Sequence, residues 1–123
     1  MKLSVVIPAH NEEACVERTV RELDARLNAE GIEREILVIN DNSSDRTEDV
    51  LRHLQPAIPC LTYINNPPPS GFGLAVRKGL EHFTGDAVAI YMADASDRPE
   101  DLVRFFRILQ ERGVGCVCWT SSQ

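Results

Sequence analysis

The sequence is poor in the residues that mark several common functional classes. Acidic residues outnumber basic ones, 19 to 13, and the formal net charge is −6. A nucleic-acid-binding surface needs clustered lysines and arginines, so this balance argues against nucleic acid as a partner. There are three histidines, and no Ser-His-Asp or Cys-His pairing for nucleophilic catalysis can be argued from them. The four cysteines lack CxxC spacing, which favours free thiols in a reducing compartment.

Long apolar runs are also lacking. The first run, residues 3–7, is too short to cross a membrane and ends at Pro8, so it predicts neither a signal peptide nor a transmembrane segment. A chain of 123 residues has room for one domain. The expected location is the cytoplasm, either free or at the cytoplasmic face of a membrane.

What the sequence does contain is a regular alternation of short apolar runs and amphipathic stretches. The runs predict strands at five places: residues 3–9, 35–40, 60–64, 87–92 and 114–119. Helices are predicted to begin near residues 12, 45, 74 and 99. This alternation predicts an α/β fold with a mostly parallel sheet.

Three details of the helices are also predicted. Asn11 is placed to cap the first helix, and Asp45 with Glu48 has the spacing of a capping box at the start of the second. In the third helix, apolar spacing predicts that three side chains face the core: Val76, Leu80 and Phe83.

Two carboxylates follow the predicted strand at residues 87–92. They are Asp94 and Asp97, and Pro99 then starts a helix. Open α/β sheets bind ligands at the carboxyl ends of their strands, and the ends of the first, second and fourth strands are expected to meet. Paired carboxylates at such an end suit a hard divalent cation that in turn holds phosphates. The alternative is that Asp97 caps the helix and Asp94 is a solvated loop charge.

Other nucleotide-binding patterns do not fit. The chain has no GxxxxGK[ST] loop, and Gly71-Phe72-Gly73 lacks the third glycine of a dinucleotide fingerprint. A response-regulator receiver domain needs an aspartate after its third strand, where this chain has Asn65-Asn66-Pro67.

Four segments resemble family 2 glycosyltransferases. Residues 4–13 read SVVIPAHNEE, where the family has S-V-V-I-P-x-Y/H-N-E, and residues 39–47 read INDNSSDRT against V-D-D-G-S-x-D-x-T. Residues 71–79 with Gly85-Asp86 resemble G-x-G-x-A-x-R/N-x-G…G-D, and residues 92–97 lie where the family has its D-x-D metal motif. The four segments occur in the family's order over residues 3–101, and they are most similar to the dolichyl- or polyprenyl-phosphate sugar synthases.

The resemblance implies a GT-A fold that binds a UDP- or GDP-linked sugar with Mg²⁺ or Mn²⁺ and transfers the sugar with inversion. The acceptor implied by the subgroup is a lipid phosphate. Residues 1–123 would be the nucleotide-sugar-binding, N-terminal part of the domain, truncated before the part that binds the acceptor. The alternative is a non-catalytic or truncated nucleotide-sugar-binding module.

The resemblance also implies roles for individual residues. Asp94 and Asp97 would be the catalytic and metal-binding pair. Six residues would bind the nucleotide: Pro8, Ala9, Asn11, Glu12, Asp41 and Arg77. Asn40 replaces the first of the two usual aspartates, which removes a charge. The metal loop reads D-x-S-D, so either Ser96 or Asp97 can be its second ligand.

Overall fold

The computed structural model describes residues 2–41, 44–69, 71–92 and 98–112. Within them, strands and helices alternate as β1 (Leu3–Ala9), α1 (Val16–Ala29), β2 (Arg34–Asp41), α2 (Thr47–Leu54), β3 (Leu61–Asn66), α3 (Phe72–His82), β4 (Ala87–Ile90) and α4 (Pro99–Arg112). The strands form one parallel sheet in the order β3-β2-β1-β4. The predicted α/β class is confirmed, and the strand predicted at residues 114–119 lies outside the described residues.

Strand β1 lies between β2 and β4, and all seven of its residues are buried. Its sequence is rich in β-branched residues, which suit a pleated surface covered on both faces. The register pairs Val5 with Ile36 on one side and with Ala89 on the other. The apolar run at the start of the chain therefore becomes the centre of the sheet.

Three of the four helices cover one face of the sheet. Helix α1 contacts both α2 and α4, and the predicted apolar stripes are buried against β1 and β2. On α1 the stripe consists of Val16, Val20, Leu23 and Leu27. On α4 it consists of Leu102, Phe105, Phe106 and Leu109. This face holds the larger of the two apolar clusters.

Helix α3 covers the opposite face, above β1 and β2, and approaches it closely. Its residues turned to the sheet are Ala75 and Gly79, both buried, whereas Leu80 is 46% exposed. The prediction that Leu80 faces the core is wrong. The reason is the short distance between helix and sheet, which leaves room for a glycine and an alanine but not for a leucine.

A polar network closes the amino edge of the sheet. The Glu35 carboxylate accepts hydrogen bonds from the Ser4 hydroxyl (2.7 Å) and from the backbone N–H of Thr84 (2.9 Å). The Ser4 hydroxyl oxygen in turn accepts from the N–H of Gly85 (2.8 Å), and Lys2 Nζ donates to the Thr84 hydroxyl (2.9 Å). The turn before β4 is thereby fixed to β1 and β2.

Replacing Gly79 by alanine is expected to destabilise the protein. A Cβ at this position would overlap Val6, whose β-branched side chain is fully buried and cannot move aside. Overpacking of this kind costs about 1–3 kcal/mol in the free energy of unfolding, measured by urea denaturation.

Gly73 provides the matched control on the same helix. A Cβ at Gly73 meets open space. We therefore expect Gly73→Ala to be neutral or stabilising by up to about 1 kcal/mol. Equal destabilisation by the two variants would contradict the close approach of α3 to β1.

The network around Glu35 predicts a pH dependence of stability. Burial alone would raise the pKa of Glu35, but hydrogen bonds from Thr84 and Ser4 and the charge of Lys2 outweigh it and leave the pKa lowered. A carboxyl group with a lowered folded-state pKa stabilises the protein above its unfolded value, roughly 4.3, and this contribution is lost as the pH falls through the folded value. Glu35→Gln should therefore lose more stability at pH 7 than at pH 3, measured by denaturation at each pH. An equal loss at both would contradict this.

Candidate functional site

The order of the strands reverses between β1 and β4. From β1 the chain proceeds outward to β2 and β3, and then returns to the other side of β1 to form β4. In open α/β sheets a reversal of this kind leaves a crevice at the carboxyl ends of the two strands, because their connections leave in opposite directions. The predicted meeting of the first, second and fourth strand ends is confirmed, since β1 pairs with both β2 and β4.

Pro8 removes one hydrogen-bond donor from β1 at this edge. The N–H of Tyr91 donates to the carbonyl of Val6 (2.9 Å). Alternate residues of a parallel strand bond to the same neighbour, so Pro8 is the next β1 residue turned toward β4. Proline has no N–H, so it cannot donate a hydrogen bond to the β4 side there. Ala9 still pairs with Asn40 on the β2 side.

The loop after β1 is bonded to the segment after β2. His10 Nδ1 donates to the Asp41 carbonyl (2.6 Å), and the Asn11 side-chain oxygen accepts from the Ser44 N–H (2.7 Å). Asn11 adopts the left-handed conformation (φ 54°), which asparagine tolerates better than most residues. The prediction that Asn11 caps α1 is wrong, because the helix begins later, at Val16, and the Asn11 oxygen serves Ser44 instead.

Asp45 and Thr47 complete this connection. The Thr47 hydroxyl oxygen accepts from the N–H of Glu12 (3.0 Å), and the Asp45 carboxylate accepts from the N–H groups of Glu13 (3.2 Å) and Thr47 (3.0 Å). Burial acts to raise the pKa of Asp45, but a hydrogen bond from the Thr47 hydroxyl and these N–H bonds outweigh it and lower the pKa. Asp45 holds the Thr47 hydroxyl, and Thr47 in turn fixes the position of Glu12, one of the residues expected at the nucleotide.

The predicted capping box is wrong, because α2 begins at Thr47 with Arg46 as its N-cap. Asp45 accepts from the N–H of Thr47 instead of that of Glu48, and Glu48 does not return to the N–H of Asp45. Its carboxylate instead accepts from Asn65 and Tyr63 of β3. The Glu48 side chain therefore bonds to residues of β3 and not to the backbone of its own helix, a contact that spacing along the chain cannot reveal.

The side chain of Asp41, 4% exposed, is bound by two donors from the β3 side. Asn66 Nδ2 donates to Oδ1 and the N–H of Gly71 donates to Oδ2, each at 2.9 Å. A carboxylate has about four acceptor positions, so acceptor capacity remains for a ligand. Sequence reasoning missed the contribution of this third loop, since it ended the strand at residue 64, whereas β3 extends to Asn66.

The structure does not add Arg77 to this group. Its side chain is 78% exposed on α3 and pairs with Glu81 of the same helix at 3.8 Å. Asp94 and Asp97 lie outside the described residues. The structure thus brings together five of the eight expected residues, namely Pro8, Ala9, Asn11, Glu12 and Asp41.

The described cysteines are free, as the sequence predicts, and only partly buried. Burial and the Asp24 carboxylate, which accepts from the Cys60 thiol, raise the pKa of Cys60 to about 11. This thiol therefore stays protonated at neutral pH and is a poor nucleophile. Within the ranges that the structure describes, no three His, Cys, Asp or Glu residues are grouped for a metal ion. None of the described helices has the length and apolarity of a membrane span.

The model of one protein family, Glycosyl transferase family 2, matches residues 4–121. The chain belongs to this family. Its relatives include the probable glycosyltransferase YdaM of Bacillus subtilis, 33% identical over 111 residues, a match covering 88% of this chain and 26% of the relative. Another is the dolichol-phosphate mannosyltransferase of Pyrococcus furiosus, 30% identical over 110 residues, covering 89% of this chain and 30% of the relative. The chain spans about a quarter to a third of these family 2 proteins.

Solved structures of GT-A glycosyltransferases share the fold. The mannosyltransferase PcManGT of Pyrobaculum calidifontis, in complex with GDP-Man and Mn²⁺, superposes with a TM-score of 0.76 at 24% identity, covering 87% of this chain and 32% of that one. Residues 1–349 of TarS from S. aureus, in complex with UDP, give 0.75 at 22% identity, covering 92% and 33%. The sheet of this family 2 chain therefore has the GT-A fold.

The Thr47 hydroxyl should contribute measurably to the stability of the site. Thr47→Val keeps the shape but leaves the Glu12 N–H without its acceptor, and a partly buried donor without a partner costs about 1–3 kcal/mol. The loss would be measured by denaturation. Thr62→Val, at an exposed position of β3, is the control and should change stability by less than about 0.5 kcal/mol. Equal effects of the two substitutions would contradict the role of Thr47.

Proposed function

We propose that this chain is the donor-binding part of a glycosyltransferase that transfers a sugar from a nucleoside diphosphate to an acceptor. The observation that carries the proposal is the reversal of strand order between β1 and β4, with Asp41 at the carboxyl end of the adjacent strand β2. Open α/β sheets bind nucleotides at such a reversal, and Asp41 retains acceptor capacity for the N–H group of a base.

Five residues would bind the nucleotide in this proposal. Asp41 accepts from the base, and the backbone from Pro8 to Glu12 lines the crevice and excludes water from one side of it. The hydrogen bonds from the Ser44 N–H to the Asn11 side-chain oxygen and from the Glu12 N–H to the Thr47 hydroxyl hold this backbone in place before the ligand arrives. Preorganisation of this kind lowers the entropic cost of binding. Arg77 is proposed to reach the donor after breaking its exposed ion pair with Glu81, which is worth little in water.

Asp94 and Asp97 are proposed to hold Mg²⁺ or Mn²⁺. Both follow β4 in the sequence, a few residues after Tyr91, whose N–H donates to the Val6 carbonyl of β1. Carboxylate oxygens are the ligands that these cations take in nucleotide sites, which fits the chemistry of the pair. When bound, such an ion stabilises the charge that develops on the leaving diphosphate. A similar protein, PcManGT, is described with GDP-Man and Mn²⁺.

A polyprenyl or dolichyl phosphate is the proposed acceptor. Two relatives, from Pyrococcus furiosus and Trichomonas vaginalis, are named as dolichol- or dolichyl-phosphate glycosyltransferases. A phosphate acceptor is already ionised, so it attacks the sugar without a general base. Attack from the face opposite the diphosphate inverts the anomeric carbon. The proposed location is the cytoplasmic side of the membrane that holds the acceptor.

Titration calorimetry with UDP and GDP, with and without Mn²⁺, tests the donor site. Asp41→Ala should weaken metal-free binding by about tenfold or more, since a hydrogen bond to a charged group is worth about 1.5–3 kcal/mol. Asp94→Ala should abolish the gain in affinity that Mn²⁺ provides. The control is Glu111→Ala, at an exposed position near the end of α4. Unchanged metal-free affinity of Asp41→Ala would contradict the base contact, and an unchanged response to Mn²⁺ in Asp94→Ala would contradict the metal site.

The alternative is a nucleotide-sugar-binding module without activity. Transfer of radiolabelled sugar to polyprenyl phosphate distinguishes the two. Transfer by the chain supports the enzyme, whereas tight nucleotide binding without transfer supports the module.

A further inference from the structure

The last two residues of β3 are paired, rung by rung, with the last two residues of β2. Asn65 is in register with Asn40, and Asn66 with Asp41. Successive side chains of a strand point to opposite faces, so the two pairs lie on opposite sides of the sheet. The Asp41–Asn66 pair lies on the α3 side, where Asn66 donates to the Asp41 carboxylate. The Asn40–Asn65 pair lies on the side of α2 and leads to Glu48.

A hydrogen-bond chain runs from Asn40 to Glu48. Asn40 Nδ2 donates to Asn65 Oδ1 (2.8 Å), and Asn65 Nδ2 donates to Glu48 Oε2 (3.0 Å). The same oxygen of Glu48 accepts from the Tyr63 hydroxyl (3.1 Å) and pairs with Arg52 (3.3 Å). We call the three residues Asn40, Asn65 and Glu48 the amide relay. It connects the end of β2 to the first turn of α2 through β3.

The charge of Glu48 fixes the direction of the relay. Hydrogen bonds from Asn65 and Tyr63, with the charge of Arg52, lower the pKa of Glu48, so it is ionised at neutral pH and can only accept. Asn65 must therefore turn its NH₂ group toward Glu48 and its oxygen toward Asn40. Residue 40 must then present a donor. An aspartate, which stands at this position in the pattern that the family resemblance supplies, would present only acceptors.

The relay has a cost in stability. Asn40 is 5% exposed, and its Oδ1 is buried without a hydrogen-bond partner among the described residues. A buried acceptor left unpaired costs about 1–3 kcal/mol. Departures from full pairing of this kind are typical of functional sites, where the position of a group matters more than the stability it contributes.

We propose that Glu48 is a positioning residue for Asp41, and that Asn40 and Glu48 are a matched pair whose amide relay fixes the ends of β2 and β3 for donor binding. This inference rests on the proposed function. The relay holds Asn65, its neighbour Asn66 holds the Asp41 carboxylate, and the backbone between them is continuous. Glu48 itself does not contact the ligand. The family pattern has a negatively charged aspartate at residue 40. In this chain residue 40 is a neutral asparagine, and Glu48 supplies the negative charge.

A double-mutant cycle on the full chain tests the matched pair. The variants are Asn40→Asp, Glu48→Gln and the two combined, with the Kd of UDP and of GDP measured in the presence of Mn²⁺. Asn40→Asp should weaken binding of the preferred nucleotide at least tenfold, because two acceptors then face each other. Glu48→Gln should weaken it about threefold to tenfold. In the double variant the glutamine can donate to Asn65, whose amide can then reverse and donate to the new aspartate. The double variant should therefore bind at least threefold more tightly than Asn40→Asp alone.

Asp49→Asn is the matched control, since Asp49 is the exposed neighbour of Glu48 and also pairs with Arg52 (3.5 Å) but has no bond to β3. It should leave the Kd unchanged. All Kd values are measured at a temperature where thermal unfolding shows each variant to be folded, so that a change in Kd reports positioning and not loss of fold.

The outcomes separate the two proposals. If the wild-type chain binds neither nucleotide, the proposed function fails, and this inference fails with it. If the wild-type chain binds and the two single substitutions combine multiplicatively, or Glu48→Gln behaves like Asp49→Asn, the proposed function stands and the role of the relay is refuted.

Discussion

The position of β1 between β2 and β4 is the constraint on which the other features of this chain depend. The strand is buried along its whole length and makes hydrogen bonds on both sides. Because β4 returns to the far side of β1, the connections diverge at the carboxyl edge and a crevice results. Pro8 has no N–H to donate to the β4 side, while β2 remains paired with β1 through Ala9. A single proline thus makes the pairing of β1 unequal on its two sides.

The two edges of the sheet are built differently. At the amino edge, hydrogen bonds join Ser4, Glu35 and the turn at Thr84, so this edge is closed. At the carboxyl edge, hydrogen bonds connect the loops after β1, β2 and β3, but acceptor capacity remains at the Asp41 carboxylate. Polar residues at the first edge are used for stability, whereas Asp41 at the second edge is the residue that we propose for the nucleotide base.

The strands could be predicted from the sequence because a buried parallel strand is a continuous apolar run, visible without knowledge of its neighbours. The stripes of α1 and α4 could be predicted for a similar reason. The exposure of Leu80 could not be predicted, because the close approach of α3 to the sheet is set by Gly79 packing against Val6, a contact between distant parts of the chain. Asn11 and Glu48 were assigned local capping roles, but both found partners on other elements.

The residues of the candidate site also divide into those that the sequence predicts and those that only the structure shows. The family motifs indicated Pro8, Ala9, Asn11, Glu12 and Asp41, and the fold brings these together. The motifs did not indicate Asn65 or Asn66, since the polar end of β3 looks like the start of a loop in the sequence. Two adjacent asparagines directly after an apolar run were the available signal. Their role depends on the register of β3 with β2, which only the structure provides.

The most direct test of the central claim, that the carboxyl edge is the nucleotide site, is the paramagnetic broadening of backbone amide signals by Mn²⁺ bound with UDP or GDP. The two ends of β1 are about 20 Å apart, and the broadening falls steeply with distance, so the two edges are distinguishable. If the carboxyl edge is the nucleotide site, the amides of Glu12, Asp41 and Tyr91 should be strongly broadened, and those of Ser4, Glu35 and Gly85 little affected. Broadening centred on Ser4, Glu35 and Gly85 would show that the nucleotide binds at the amino edge instead.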